Sequence, residues 1–320
     1  MVKKKDLALR EIRVMSNQGR TKKIKWISSP IEKHWVGNGF NVHTIFHPAP
    51  EIREYLSPFI LMDYAPPKKF PAGEEKRGVG EHPHRGFETV TLCYSGEIDH
   101  RDSGGGGGRI GPGDVQWMTA AKGLVHEEFH SEESTRKGGL FEMVQLWVNL
   151  PKKDKMGPHR YQGLKDSEFP RVELSPKAKA RLIAGELLEK TGPCLTHSKM
   201  TVFDLDINSG GSCELSFEEG TNTLIFVLRG ELKIQGHKAK ELNLIVFERG
   251  GNTIRLEALN DHENPDSHKY NGNKKDVKIL ILNGMPINEP IFAYGPFVMN
   301  SKEEIVQAID DYNNGKMGKL

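Results

Sequence analysis

The feature that most constrains the fold is a block that occurs twice. Residues 82–97, HPHRGFETVTLCYSGE, align without a gap on residues 216–231, SFEEGTNTLIFVLRGE. Gly86 falls on Gly220, Thr89 on Thr223, Gly96 on Gly230 and Glu97 on Glu231, with apolar residues matched between them. The block reads as a strand followed by a turn. Thr89-Val90-Thr91-Leu92-Cys93-Tyr94 is β-branched and aromatic, and Ser95-Gly96-Glu97 closes it. Ile110-Gly111-Pro112-Gly113-Asp114 supplies a second tight turn before the apolar strand Val115-Gln116-Trp117-Met118. Chance agreement between two hairpins of similar make-up is the competing explanation for the match. A duplication divides the chain of 320 residues into two units of about 150 residues, an ordinary domain size. The 34 glycines and 18 prolines, with short apolar runs between them, favour many short strands over helical bundles.

The two copies differ in their chemistry. His82, His84 and Glu88 fall on Ser216, Glu218 and Asn222. Strand side chains alternate, so His82 and His84 share one face of a strand. His126 and Glu128 repeat that spacing. Facing each other across a small barrel, the two pairs offer three imidazoles and one carboxylate to one divalent transition-metal ion, with coordination positions left open for chemistry. A solitary H-x-H is common on solvated loops. The strand–turn–strand order around this one suits instead a small antiparallel barrel with ligands at its mouth. In the second half, His237, His262 and His268 lie in polar, turn-rich surroundings and are expected at the surface.

These strings also carry a resemblance. HPHRGFETVTL (82–92), PGDVQWMTAAKGLVHEE (112–128), VQLWVNLP (144–151) and EPIFAYGPFVMN (289–300) resemble, in order, the pirin family of the cupin superfamily, over a span from about Phe40 to Gly315. The resemblance implies an all-β bicupin fold, two antiparallel β-barrel (jelly-roll) domains with a C-terminal helix. It implies one Fe(II) in the N-terminal barrel, ligated by His82, His84, His126 and Glu128, a donor set that also accepts other divalent transition metals. The general cupin pattern would instead recruit Glu88 and a histidine close to the Pro-x-Gly turn, where this chain has Gln116. Pirins share the displacement to His126 and Glu128. Glu88 then stands behind the ligands, bonding Arg85 or an imidazole, and on the face of His84 unless a bulge or loop intervenes. The implied activity is that of a quercetin 2,3-dioxygenase acting on a small aromatic substrate such as a flavonol, with Glu128 as candidate catalytic base. The family equally implies a second role, a redox-sensitive metal-containing protein that binds a transcription factor or metabolic enzyme. Trp117 and Met118 are candidates for the pocket mouth or for the core.

Composition narrows the remaining classes. Lys+Arg 45 against Asp+Glu 43 leaves a net charge of +2, too little for a direct nucleic-acid surface. The basic segment Arg20–Lys25 reads as a solvated edge. The run Gly104–Gly108 lacks the Lys-Ser/Thr and helix of a phosphate loop, so it is a flexible hairpin tip. No stretch of about 18 apolar residues exists to span a membrane, and the charged start Met1–Asp6 is followed by no apolar segment of a secretory signal. Three cysteines without a C-x-x-C suit a reducing cytoplasm, with Cys93 a small buried hydrophobe. The expected divisions are an N-terminal extension (1–25), a metal-binding cupin domain (26–160) and a second cupin domain without ligands (161–320), with the boundary in 152–176, where charge, Pro and Gly cluster. Ser301-Lys302-Glu303-Glu304 is a capping box, and Ile305, Ala308, Ile309 and Tyr312 form the apolar stripe of a final helix that packs back across a barrel.

Overall fold

A computed structural model of the chain describes residues 19–30, 32–259 and 276–320. Most of the expected extension over 1–25 lies outside them, as do His262 and His268. Each half of the chain builds one seven-stranded and one four-stranded antiparallel sheet. In the first half the large sheet runs Arg160–Leu164, Val115–Thr119, Phe87–Ser95, Gly139–Asn149, Phe59–Phe70, Phe40–Phe46, Lys33–Val36. The small sheet runs Gly78–His84, Leu124–His130, Ile98–Asp102, Gly107–Ile110. In the second half the large sheet runs Ile24–Ser28, Leu244–Phe247, Asn222–Arg229, Val277–Gly284, Met200–Ile207, Ala178–Ala184, Arg171–Ser175. Its small sheet runs Ser212–Ser216, Thr253–Ala258, Glu231–Ile234, His237–Lys240.

The two halves therefore repeat each other strand for strand, and the duplicated block sits at the same place in each. Phe87–Ser95 and Asn222–Arg229 are the third strands of their large sheets. Gly86 and Gly220 enter them at φ of +88° and +90°, and Gly96 and Gly230 leave them at +84° and +80°. Only glycine takes these left-handed turns without strain, so both copies share the corners although the side chains between them differ. The all-β, two-barrel architecture with a C-terminal helix is the one the chain adopts.

Strands cross the divisions expected at 26 and 160. Ile24–Ser28 precedes the first barrel but pairs with Leu244–Phe247 of the second. Arg160–Leu164 precedes the second barrel but pairs with Val115–Thr119 of the first. Each repeat hands its leading strand to the edge of the other, which satisfies an otherwise open row of backbone groups. Charge and Pro/Gly clusters mark where the chain turns, not where it pairs. The basic segment is likewise not wholly solvated. Lys22 is buried, and its Nζ donates to the carbonyls of Thr221 (3.0 Å), Glu248 (3.0 Å) and Arg249 (3.3 Å).

The two large sheets pack face to face. Val90, Leu92, Trp117, Val144 and Leu146 meet Val202, Leu224, Phe226, Leu280 and Leu282 in one apolar cluster. Trp117 thus belongs to this shared core and not to a pocket mouth, while Met118 packs with Ala120, Leu124 and Tyr161. The second barrel is filled by Leu182, Phe203, Ile225, Val227, Phe247 and Ile281. Polar ties cross the seam as well: Tyr94 donates to Asp204 (2.6 Å), which also pairs with Arg181, and Glu142 accepts from Tyr64 (2.8 Å) and pairs with Arg229. The final helix, Lys302–Asn313, starts where its cap predicts. Ser301 Oγ accepts from the Glu304 amide at 3.2 Å, and Glu304 takes the Asn300 amide at 2.8 Å. Ile305 and Ala308 pack with Val125 of the first barrel. Tyr312 lies on the flank, and a charged residue, Asp311, is buried instead, paired with Arg85 at 2.9 Å. Among the described residues no helix is long and apolar enough to cross a membrane.

Phe226 stands edge-on to Tyr64 across the shared core, ring centroids 5.2 Å apart. Phe226→Ala should cost about 3–5 kcal/mol. Because the cluster draws on both halves, the variant should still unfold in one transition, measured by tryptophan fluorescence and circular dichroism in urea. Two separated transitions, or a negligible loss, would show that the barrels fold independently.

Candidate metal centre

The site is built on the small sheet of the first barrel. Gly78–His84 pairs with Leu124–His130 so that His82 lies directly opposite His126. On its other side Leu124–His130 pairs with Ile98–Asp102, setting Asp102 opposite His126 and His100 opposite Glu128. The alternation of strand side chains brings these groups to one face. The rings of His82 and His126 are 4.2 Å apart, and those of His84 and His126 4.8 Å. Two overlapping groups of metal-capable atoms, each within 4.8 Å of one another, result: His82, His84 and His126, and then His100, His126 and Glu128. His126 belongs to both.

Bonding around these side chains leaves particular atoms free. His82 Nδ1 is 2.8 Å from the Gly80 carbonyl, which ties down that nitrogen and leaves Nε2. His84 Nδ1 and His126 Nε2 are buried with no hydrogen-bond partner. Burial first, and then the neighbouring imidazoles, hold both rings well below the usual histidine range, so both are neutral at pH 7. An unpartnered buried polar atom costs roughly 1–3 kcal/mol, and neutral imidazoles with bare lone pairs are what a divalent metal requires. The donor set fits such an ion. Glu128 Oε1 accepts from Gln116 Nε2 at 2.5 Å, reaching across the barrel, while the one hydroxyl hydrogen of Thr91 goes to Gln145 Oε1 at 2.8 Å. Beside the ligand cluster, Trp147 lies 5.1 Å from the His84 ring and stacks on Phe87 at 4.3 Å.

Several of these partners escaped the sequence reading. His100 and Asp102 carry the same one-residue spacing as the two flagged pairs, which was the available signal. Gln116 stands where a general cupin places a histidine, whereas Thr91 and Tyr161 carry no such signal. Lys155, buried, donates from Nζ to Gly86 O (2.6 Å), Asn149 Oδ1 (2.6 Å) and Val298 O (2.8 Å), clamping the corner after His84 to the C-terminal tail. Glu88 departs from expectation. The chain turns at Gly86, so the strand ends at His84 and a new one begins at Phe87. The even spacing from His84 therefore no longer means a shared face. Glu88 points out of the barrel, accepts from Thr119 Oγ1 (2.7 Å), and lies 3.6 Å from Arg160 and 4.0 Å from His197. It bonds neither Arg85 nor an imidazole of the cluster.

Comparison with known proteins agrees with the fold. Residues 39–148 match the pirin family model, and residues 202–318 match the pirin C-terminal cupin domain. A Pseudomonas aeruginosa protein named "Putative quercetin 2,3-dioxygenase" is 48% identical over 296 residues, 92% of this chain and 98% of its own. Pirin of Rattus norvegicus is 33% identical over 279 residues, 84% of this chain and 85% of its own. The crystal structure of a quercetin 2,3-dioxygenase from Acinetobacter baumannii matches with a TM-score of 0.85 at 44% identity, covering 93% of this chain and 99% of that one.

Burial raises the Glu88 carboxyl from its ordinary 4.5 to about 7. A carboxyl raised on folding stabilises the native state below pH 4.5, and that stabilisation is lost as pH rises to about 7. Glu88→Gln keeps the neutral shape. Relative to this variant, the native protein should lose on the order of 3 kcal/mol of stability between pH 4.5 and 8, measured by denaturant unfolding of the metal-free proteins. A difference that is flat with pH would contradict the burial argument.

Proposed function

The chain belongs to the pirin family, and from that membership we propose that it is a metal-dependent dioxygenase of flavonols, of the quercetin 2,3-dioxygenase type, with one iron(II) held by His82, His84, His126 and Glu128. The observation that carries this reading is the pair of buried, neutral and unpartnered nitrogens, His84 Nδ1 and His126 Nε2, on two rings that form with His82 one group of metal-capable side chains within 4.8 Å of one another. When bound, such an ion supplies a Lewis-acid and redox centre with positions open to substrate.

The chain's own residues supply the rest. Buried neutral imidazoles have no proton to release before they ligate. Gln116 donates to Glu128 Oε1, leaving Oε2 to ligate and one lone pair of Oε1 for a proton. As the carboxylate of the set, Glu128 is assigned to take the proton of the flavonol 3-hydroxyl. Trp147, half-buried and backed by the buried Phe87, sets a flat aromatic face beside His84, suited to fused aromatic rings. Among the described residues the second barrel offers no counterpart, since its interior is apolar and Ser216 and Glu218 stand at the positions of His82 and His84. Three imidazoles and a carboxylate also accept nickel, copper, cobalt, manganese or zinc, and bare affinity favours the later metals. A purified sample can therefore carry another metal than the one used in the cell.

Elemental analysis should give close to one metal per chain, and none after His82 and His84 are both changed to Ala. Glu128→Gln should weaken iron binding about 10-fold or more, whereas Glu88→Gln should leave metal content intact. Nearly two equivalents, or an empty Glu88→Gln protein beside a loaded Glu128→Gln one, would overturn the ligand assignment. Iron-loaded protein should consume oxygen in the presence of quercetin, and His84→Ala should not. Loaded protein that leaves quercetin and oxygen untouched, yet captures a macromolecule only when metal is bound, would move the reading to the regulatory role.

A further inference from the structure

His100 and Asp102 sit one residue apart on the strand next to His126 and Glu128. His100 Nε2 is 3.1 Å from Asp102 Oδ2, and His100 Nδ1 is 3.4 Å from His126 Nδ1. Asp102 is itself held on its other oxygen, where Oδ1 accepts the backbone amides of Gly104 (2.8 Å) and Gly106 (2.9 Å). That cradle accounts for Gly106, because a Cβ there would stand 2.4 Å from Asp102 Oδ2. Tyr161 stacks on His100, centroids 5.0 Å apart at 15°, and fixes the ring plane.

These contacts assign the ring hydrogens when each ring carries a single one. A carboxylate only accepts, so His100 Nε2 carries the hydrogen and donates to Asp102. A neutral imidazole has one N–H, which leaves His100 Nδ1 as a lone pair. The contact between the two Nδ1 atoms is then a hydrogen bond only if His126 Nδ1 is the donor. His126 Nε2 is left bare, and it is the buried ring atom with no partner.

We propose that Asp102 is a positioning residue that sets the tautomers of His100 and His126 in series, so that His126 presents Nε2 without a hydrogen to a metal ion. The proposal deepens the reading of His126 as a ligand and rests on it. The neighbouring ligand is steadied from the same side, since Tyr161 donates to Gln116 Oε1 at 3.3 Å and Gln116 donates to Glu128.

Two substitutions separate tautomer control from mere support. In Asp102→Asn the amides of Gly104 and Gly106 hold the side-chain oxygen, so the new amide N–H₂ faces His100 Nε2. That nitrogen must then accept, His100 Nδ1 must donate to His126, and the hydrogen of His126 moves to Nε2, where it blocks ligation. Asp102→Ala only frees the relay. Affinity for cobalt(II), followed by its visible absorption, should therefore fall in the order wild type, Asp102→Ala, Asp102→Asn, with the last about 10–100-fold weaker than wild type. A supporting role alone would favour the isosteric Asn over Ala, and that order would overturn the proposal. Long-range proton–nitrogen NMR of metal-free wild-type protein gives a second answer that no variant can spoil. The expected result is an Nδ1–H tautomer at His126 and an Nε2–H tautomer at His100, and an Nε2–H His126 would end the idea. Failure of the ligand reading looks different: His126→Ala would then bind cobalt(II) as tightly as wild type.

Discussion

The packing of the two seven-stranded sheets against each other is the interaction on which the rest of the structure depends. It places Val90, Leu92, Val144 and Leu146 against Leu224, Phe226, Leu280 and Leu282, so each large sheet is apolar on its outer face. Burial there and inside the second barrel supplies the main favourable free energy of folding. The first barrel keeps a smaller apolar core of Phe40, Val42, Phe70, Ile98, Ile110 and Phe141, which leaves part of its interior for other groups. It can hold Thr91, Gln116, His100, His126 and Glu128, which are tolerable only because nearly every polar atom is bonded. Two of the atoms left without a partner, His84 Nδ1 and His126 Nε2, fall where an ion would complete them.

Segments remote in sequence then close around this interior. The exchanged strand Arg160–Leu164 carries Tyr161 to His100 and Gln116. The tail returns to the corner after His84, where Val298 accepts from Lys155 and its amide bonds Arg85 O at 3.0 Å, while Asp311 takes the Arg85 guanidinium. The corner that orients His84 is thus fixed by residues from the linker, the first barrel and the last helix together. Buried ion pairs are poor sources of net stability but strongly resist loss of one partner, which suits a device that specifies one arrangement.

Glu88 shows how one backbone turn reassigns a residue. Its spacing from His84 is that of a general cupin ligand, yet Gly86 at φ +88° breaks the strand and rotates the following side chains by one face. The carboxyl is sent into the seam between barrels, beside Thr119, Arg160 and His197. Glu128, on an unbroken strand with His126, takes the inward position instead.

What the sequence determined by itself is whatever depends on residues close together along the chain. The period of two put His82 with His84 and His126 with Glu128. The glycine corners revealed the repeat, and Ser301 with Glu304 marked the helix start. The family resemblance joined the two pairs into one expected site. What only the tertiary structure decided is whatever depends on which strands lie side by side. The exchange of leading strands, the burial of Lys22, Lys155 and Asp311, the outward turn of Glu88, and the placing of His100 and Asp102 behind His126 all follow from register and topology. Side-chain alternation is a local property of the backbone, whereas hydrogen bonding between distant strands is chosen by the burial of the whole molecule, and no short stretch of sequence contains that choice.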